Sequence, residues 1–150
     1  MNTINNQKGE SKMSEKTLID TSILLNAYFF VNKNNKIKAI EIIEKYANTE
    51  NGYVSSQNIL EFTNICKNKL KVKEKELIGY VHEIKTLFKI VSPTEKSIES
   101  AINLSFSKKI AFYDALLIQT MIENSIRQLL TSDHKLFKKI KEIKTIDPYK

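Results

Sequence analysis

Short apolar runs alternate with stretches whose apolar residues recur at helical spacing, from residue 16 to the end of the chain. The runs are Lys16–Asp20, Tyr53–Ser55, Phe88–Val91, Gln128–Thr131 and Lys144–Ile146. The stretches between them are Ser22–Val31, Ile37–Ala47, Ser56–Leu70, Lys73–Leu87, a segment from Pro93 to about Ser107, and Tyr113–Glu123. A strand followed by a helix and another strand is the unit of a parallel sheet, and such a sheet needs cover on both faces. The alternation therefore predicts an α/β domain with three layers, α/β/α, around a central parallel sheet of four to five short strands.

Local signals place the boundaries. Ser22 is the expected N-cap of the first helix, and Asn32–Asn35 reads as a polar turn. Asn51-Gly52 marks a turn before the second strand. Ser92-Pro93-Thr94-Glu95 fits a capping box with proline at the first helical position. Tyr113–Glu123 is apolar nearly all round, which predicts the most buried helix. Asn124 is expected to stop it in the left-handed conformation. One helical turn is expected between the last two strands. Residues 1–15 read as a flexible, polar N-terminal tail and 16–150 as one domain, a size able to bury a substantial core.

Composition narrows the chemistry. Cys66 is the single cysteine, so neither an internal disulfide nor a cysteine-built zinc site is available, and a reducing compartment is expected. No apolar run is long enough to cross a bilayer, and the polar opening residues lack the apolar middle of a secretory signal. The expected location is the cytoplasm. The formal charge of +7 favours polyanionic partners. All the basic residues but Arg127 are lysines, however, and lysine is also a common solubilising residue.

Four acids fall at edges of the predicted elements. Asp20 ends the first strand, Glu61 lies in the helix after the second, Asp114 opens the buried helix, and Asp133 follows the fourth strand. Each has an ordinary explanation. Asp114 could favour a helix N-terminus, Asp133 could open a turn, and Glu61 could be a solvated helix residue. Asp20 is harder to explain that way, because an acid at the end of a central strand is costly to bury without a partner. In a doubly wound sheet these places adjoin at the topological switch point. Four carboxylates there repel unless a cation neutralises them, and hard oxygen ligands select Mg²⁺ or Mn²⁺. One or two such ions can activate water and clamp a phosphodiester.

Leu-Ile-Asp20-Thr-Ser22, Ile-Leu-Glu61-Phe-Thr-Asn64, Phe-Tyr-Asp114-Ala-Leu-Leu and Leu-Leu-Thr131-Ser-Asp133-His-Lys-Leu-Phe137 together resemble the PIN domain, especially the compact type of VapC-like toxin–antitoxin ribonucleases. The resemblance spans roughly residues 16–147. It implies a PIN-like fold and a metal-dependent endoribonuclease, the toxin of a toxin–antitoxin pair. It implies that Asp20, Glu61, Asp114 and Asp133 are the catalytic and metal-binding acids, with the Ser22 and Thr131 hydroxyls ordering the pocket. RNA is the implied substrate, an antitoxin protein the implied partner, and a homodimer the form such proteins commonly take. The alternative is a PIN-like fold acting as a non-catalytic RNA- or protein-binding module. The chain departs from the family in two ways: Asn124-Ser125 stands where a glycine is common, and arginines are nearly absent, so lysines must act as point charges rather than bidentate forks.

Other features are weighed singly. Lys135, Lys138 and Lys139 follow Asp133 closely and are candidates for steering RNA; a plain solvated surface explains them comparably well. Lys67, Lys69, Lys71, Lys73 and Lys75 read as a solvated linker. His134 reads as a turn residue, His82 as structural, and Cys66 as a core side chain. Phe29-Phe30-Val31 has two readings, core packing and an interface between copies, which the sequence does not separate. An aspartyl-phosphate phosphatase needs a second acid two residues after Asp20, where Ser22 stands. Only Gly9, Gly52 and Gly79 are present, so there is no glycine-rich nucleotide loop. A receiver domain would need an acid after strand three, where Ser92-Pro93 stands.

Overall fold

The structure is a computed structural model that describes residues 15–29, 32–133 and 138–150. Its strands are β1 (Thr17–Ile19), β2 (Gly52–Ser55), β3 (Lys89–Val91), β4 (Gln128–Leu130) and β5 (Lys144–Ile146). Its helices are α1 (Thr21–Tyr28), α2 (Lys33–Tyr46), α3 (Ser56–Asn68), α4 (Glu74–Leu87), α5 (Glu95–Lys108) and α6 (Phe112–Glu123). The strands form one sheet in the order β3-β2-β1-β4-β5, with every pair parallel. The chain builds from β1 outward through β2 and β3, then returns to place β4 and β5 on the other side of β1. The switch point therefore flanks β1, the central strand, as the alternating pattern requires.

The pleat divides the core in two. Ile19, Val54 and Leu130 face one side, where they meet Ile23 and Leu24 of α1, Phe62 and Cys66 of α3, and Ile84 of α4. Their neighbours Leu18, Tyr53, Val91 and Leu129 face the other side, against Leu117, Ile118 and Met121 of α6. Successive side chains of a strand point to opposite faces, so the central strands β1, β2 and β4 bury residues on both faces of the sheet, each face covered by helices. Each large apolar side chain buried this way contributes about 1.5–3 kcal/mol. α6 carries most of one layer, with Ala115, Leu116, Leu117, Ile118, Thr120 and Met121 all buried. The Cys66 thiol lies in the core, and burial pushes its pKa up to about 11, which leaves it inert at neutral pH.

Several predicted boundaries move, each for a local reason. α1 begins at Thr21, not Ser22, because Asp20 is the N-cap: its extended backbone (φ −75°, ψ 159°) lets Oδ1 accept from Thr21 N–H at 2.9 Å. α1 ends at Tyr28, and Phe30 and Val31 lie outside the described residues. Asn32 is not in a turn but caps α2, accepting from Asn35 N–H at 3.1 Å. The capping box of α5 is Thr94 with Ser97, not Ser92 with Glu95. α6 stops on Ser125, whose φ of 59° is left-handed, while Asn124 stays at −101°. Residues 138–143 form turns, and 134–137, the rest of the stretch where one helical turn was expected, lie outside the described residues. Gly52 is required by close approach, since a Cβ there would lie 2.5 Å from the Tyr46 carbonyl oxygen. Most of the predicted tail, residues 1–14, lies outside the described residues.

Candidate functional site

Asp20 follows the last residue of the central strand, and three different parts of the chain converge on it. Thr21 N–H and Asn58 Nδ2 donate to its Oδ1 at 2.9 and 3.1 Å, and the Thr131 hydroxyl donates to its Oδ2 at 2.6 Å. A carboxylate offers about two acceptor sites per oxygen. Oδ1 is thus filled, and one site remains on Oδ2. Such outer contacts orient a carboxylate and fix which oxygen is free.

Asn58 organises this corner. It is 1% exposed. Its Oδ1 accepts from Ser55 N–H at 3.1 Å, closing the capping box of α3, while its amide donates to Asp20 and to the Thr21 hydroxyl oxygen, the latter at 3.1 Å. The Thr21 hydroxyl lies 3.3 Å from Glu61 Oε2 and 3.4 Å from the Asn58 carbonyl oxygen. Its single proton favours the charged acceptor, which links Glu61 to the same network. The Thr131 oxygen accepts from Asp133 N–H at 3.1 Å, and the Ser22 oxygen accepts from Ser132 N–H at 3.2 Å. Ser22 thereby holds the loop that carries Asp133.

Glu61 is exposed on α3, one turn beyond Asn58. Asp114 is half-buried in the first turn of α6. The Gln57 amide joins the two helices by donating to the Tyr113 carbonyl at 2.7 Å. Asp133 is exposed after β4. The acids feel one another. Burial, and then the Asp133 charge, holds the Asp20 carboxyl above its usual range against the lowering effect of its hydrogen bonds. Partial desolvation of its carboxyl group, then Asp20 and Asp114, raise Glu61, and burial, Asp20 and Asp133 raise Asp114. Asp20 and Asp114 are therefore the electrostatic centre, with Glu61 and Asp133 on either side.

The cluster is open. Among the described residues, no group of three or more His, Cys, Asp or Glu is gathered closely enough to hold a metal ion as it stands. Mutual repulsion and the exposure of Glu61 and Asp133 account for the spread. The donor chemistry nonetheless fits a hard divalent cation. The donors are carboxylate oxygens, Asp20 keeps a free acceptor site, and the raised carboxyl pKa values mark a surplus of negative charge that a cation would relieve. Lys138 and Lys139 are exposed beyond Asp133, while His134 and Lys135 lie outside the described residues.

Thr21, Gln57 and Asn58 have no counterpart among the sequence candidates. One signal for Asn58 was present: it stands three residues after Ser55, at the capping-box position of a helix that begins right after a strand. His82 is exposed rather than structural. Phe29 packs its ring against Phe62 and Tyr80, at centroid distances of 6.4 and 6.0 Å, so core packing accounts for it. The lysines from Lys67 to Lys75 bridge the end of α3 and the start of α4 on exposed positions, as a solvated connection does.

The fold has close relatives in shape. A toxin–antitoxin complex from Klebsiella pneumoniae contains a chain 19% identical to this one, with a TM-score of 0.66 over 90% of this chain and 99% of that one. FitAcB from Neisseria gonorrhoeae is 15% identical, with a TM-score of 0.66 over 89% and 98%. VapC20 from Mycobacterium tuberculosis, described as a sarcin–ricin loop cleaving toxin, is 12% identical, with a TM-score of 0.63 over 80% and 93%. No curated protein matches the sequence. The PIN domain model matches residues 17–143, from β1 to the edge of β5. The chain belongs to the PIN domain family.

Proposed function

We propose that this chain is a metal-dependent endoribonuclease, the toxin of a toxin–antitoxin pair, with Asp20, Glu61, Asp114 and Asp133 as its catalytic and metal-binding acids. The observation that carries the reading is the hydrogen-bonded placement of Asp20, Glu61 and the loop bearing Asp133 at the carboxyl edge of the central strand of a PIN fold, with Asp114 opening α6 beside it. The solved relatives include a toxin–antitoxin complex and a sarcin–ricin loop cleaving toxin, which supports an RNA substrate and an antitoxin partner.

One or two Mg²⁺ or Mn²⁺ ions held there would activate a water and neutralise charge developing on the phosphate. The protein's part is to place the acids. Asp20 is fixed by three hydrogen bonds, which leave an acceptor site on Oδ2. Thr131 and Ser22 hold the loop bearing Asp133, and Thr21 holds Glu61. Lys138 and Lys139, exposed just after Asp133 in sequence, would supply positive charge to draw in the RNA backbone.

The test is incubation of the purified chain with structured RNAs in EDTA, Mg²⁺ or Mn²⁺, beside an Asp20→Asn variant of verified fold. Cleavage only with metal, and lost in the variant, is expected. Cleavage that survives in EDTA or in Asp20→Asn sinks the assignment. The open spacing of the carboxylates favours one rival, a non-catalytic binding module. Mn²⁺ titration separates the two, since a metal site raises the melting temperature with occupancy and a bare module does not.

A further inference from the structure

One atom beside the acidic cleft is left without a partner. Gln57 Oε1 is closed off from solvent and accepts no hydrogen bond; among the described residues it is the one buried side-chain nitrogen or oxygen in that state. Buried acceptors are nearly always satisfied, because an unpaired one bears the full cost of losing its water. The amide cannot escape by turning over. Its Nε2 donates to the Tyr113 carbonyl at 2.7 Å, and a flip would set oxygen against oxygen there. Clamping α3 to α6 therefore accounts for one end of the amide and leaves the other unexplained.

The position of Gln57 indicates what it lacks. Gln57 and Glu61 are four residues apart on α3, so they share a face. The carbonyl that Gln57 holds belongs to Tyr113, the neighbour of Asp114 in the first turn of α6. The amide thus ties the turn that carries Asp114 to the face that carries Glu61, and the Asp114 charge is felt at Glu61. An orphaned oxygen in that place needs a cation or a donor proton. A hard divalent cation supplies both: it takes amide oxygens beside carboxylates, and a small one keeps waters whose protons need acceptors. A neutral oxygen also adds no charge to a site already crowded with carboxylates. Holding an ion requires the described acids to draw together, so the packing that now covers Oε1 is not that of the loaded site.

We propose that Gln57 is a further residue of the metal site, its amide oxygen serving the ion directly or through one of the ion's waters, while its amide nitrogen holds the turn that bears Asp114. This rests on the proposed function for the presence of the ion. It adds a neutral oxygen to a set otherwise made of carboxylates, and it is measured without any cleavage.

Mn²⁺ binding to the full chain without RNA tests it, read from the electron paramagnetic resonance signal of the free ion, beside the melting temperature in EDTA. Gln57→Met keeps the length of the side chain and removes both polar ends. It should weaken Mn²⁺ binding at least about tenfold, the scale of losing a group that supports a metal, with the metal-free melting temperature nearly unchanged, because the orphaned oxygen goes together with the Tyr113 bond. Gln57→Glu returns an oxygen at the same reach and should bind Mn²⁺ at least as tightly as the native chain. A clamp alone predicts a different pattern: both variants lose the bond to Tyr113, so both would change metal affinity alike. Circular dichroism establishes that each variant is folded, and Gln57→Glu against the native chain decides the matter should Gln57→Met unfold. Equal Mn²⁺ affinity in the native chain and Gln57→Met, or a Gln57→Glu that binds as weakly as Gln57→Met, overturns the inference and leaves the acids standing as a metal site. A native chain that binds no Mn²⁺ overturns it together with the metal-dependent reading. Mn²⁺ held through Gln57 by a chain that leaves RNA whole would keep the inference and remove the nuclease reading.

Discussion

The Thr131 hydroxyl donates to Oδ2 of Asp20 at 2.6 Å, joining the end of β4 to the end of β1 across 111 positions of sequence. Thr131 is fully buried, and its oxygen also accepts from Asp133 N–H at 3.1 Å. One hydroxyl thus aligns one acid and anchors the loop of a second. Thr131→Val keeps the shape and removes both bonds. It should cost about 1.5–3 kcal/mol of stability, the range for a hydrogen bond to a charged group. Urea denaturation checks the stability, and cleavage should fall with it; a variant as stable as the native chain would show that the bond contributes nothing net.

Asn58 makes a sharper case, because its amide faces a carboxylate. Asn58→Asp replaces the donor to Asp20 with a second negative charge in a site that is 1% exposed. The variant should lose at least about 2 kcal/mol at neutral pH and recover part of it in acid, as one of the two carboxyls takes up a proton. Paired denaturation curves at two pH values measure this. Equal losses at both would argue that shape, not charge, sets the cost.

Asp20→Asn should separate folding from chemistry. Burial and Asp133 already press Asp20 towards its neutral form. A neutral amide removes that strain while its oxygen can still accept from Thr21 and Asn58. The melting temperature of the metal-free variant should equal or exceed that of the native protein, with RNA cleavage abolished, as expected where a functional site is a local source of instability. A large drop in melting temperature would assign Asp20 to the scaffold instead.

The acids also set a pH dependence with a definite sign. Asp20, Glu61 and Asp114 all have folded-state pKa values raised above their usual values of 3.8, 4.5 and 3.8. The folded state then holds protons that the unfolded chain has released, so their contribution is full below the unfolded pKa and is lost as pH rises through the folded one. In EDTA, the stability attributable to these groups should fall as the pH rises above their usual carboxylate range. Mg²⁺ or Mn²⁺ should flatten that slope by stabilising the ionised carboxylates. Chemical denaturation across pH with and without metal reads both, and a slope unchanged by either ion counts against a metal site there.

The sequence by itself determined the layered α/β architecture, because strand and helix periodicities differ and each apolar run is too short and too apolar to tolerate an uncovered face. It also placed Asp20 and Asp133 just beyond strands, and Glu61 and Asp114 on helices that meet the same sheet edge, since that follows from element order alone. What only the tertiary structure decided is how the acids are held. Asn58 looks like an ordinary helix asparagine until β1 and β2 pair and bring α3 against Asp20. Thr131 and Thr21 gain their roles in the same way, through hydrogen bonds whose partners are distant in sequence. The cap of α1 fell to Asp20 rather than Ser22 because the backbone at the strand end is extended at Asp20, a conformation set by pairing in the sheet.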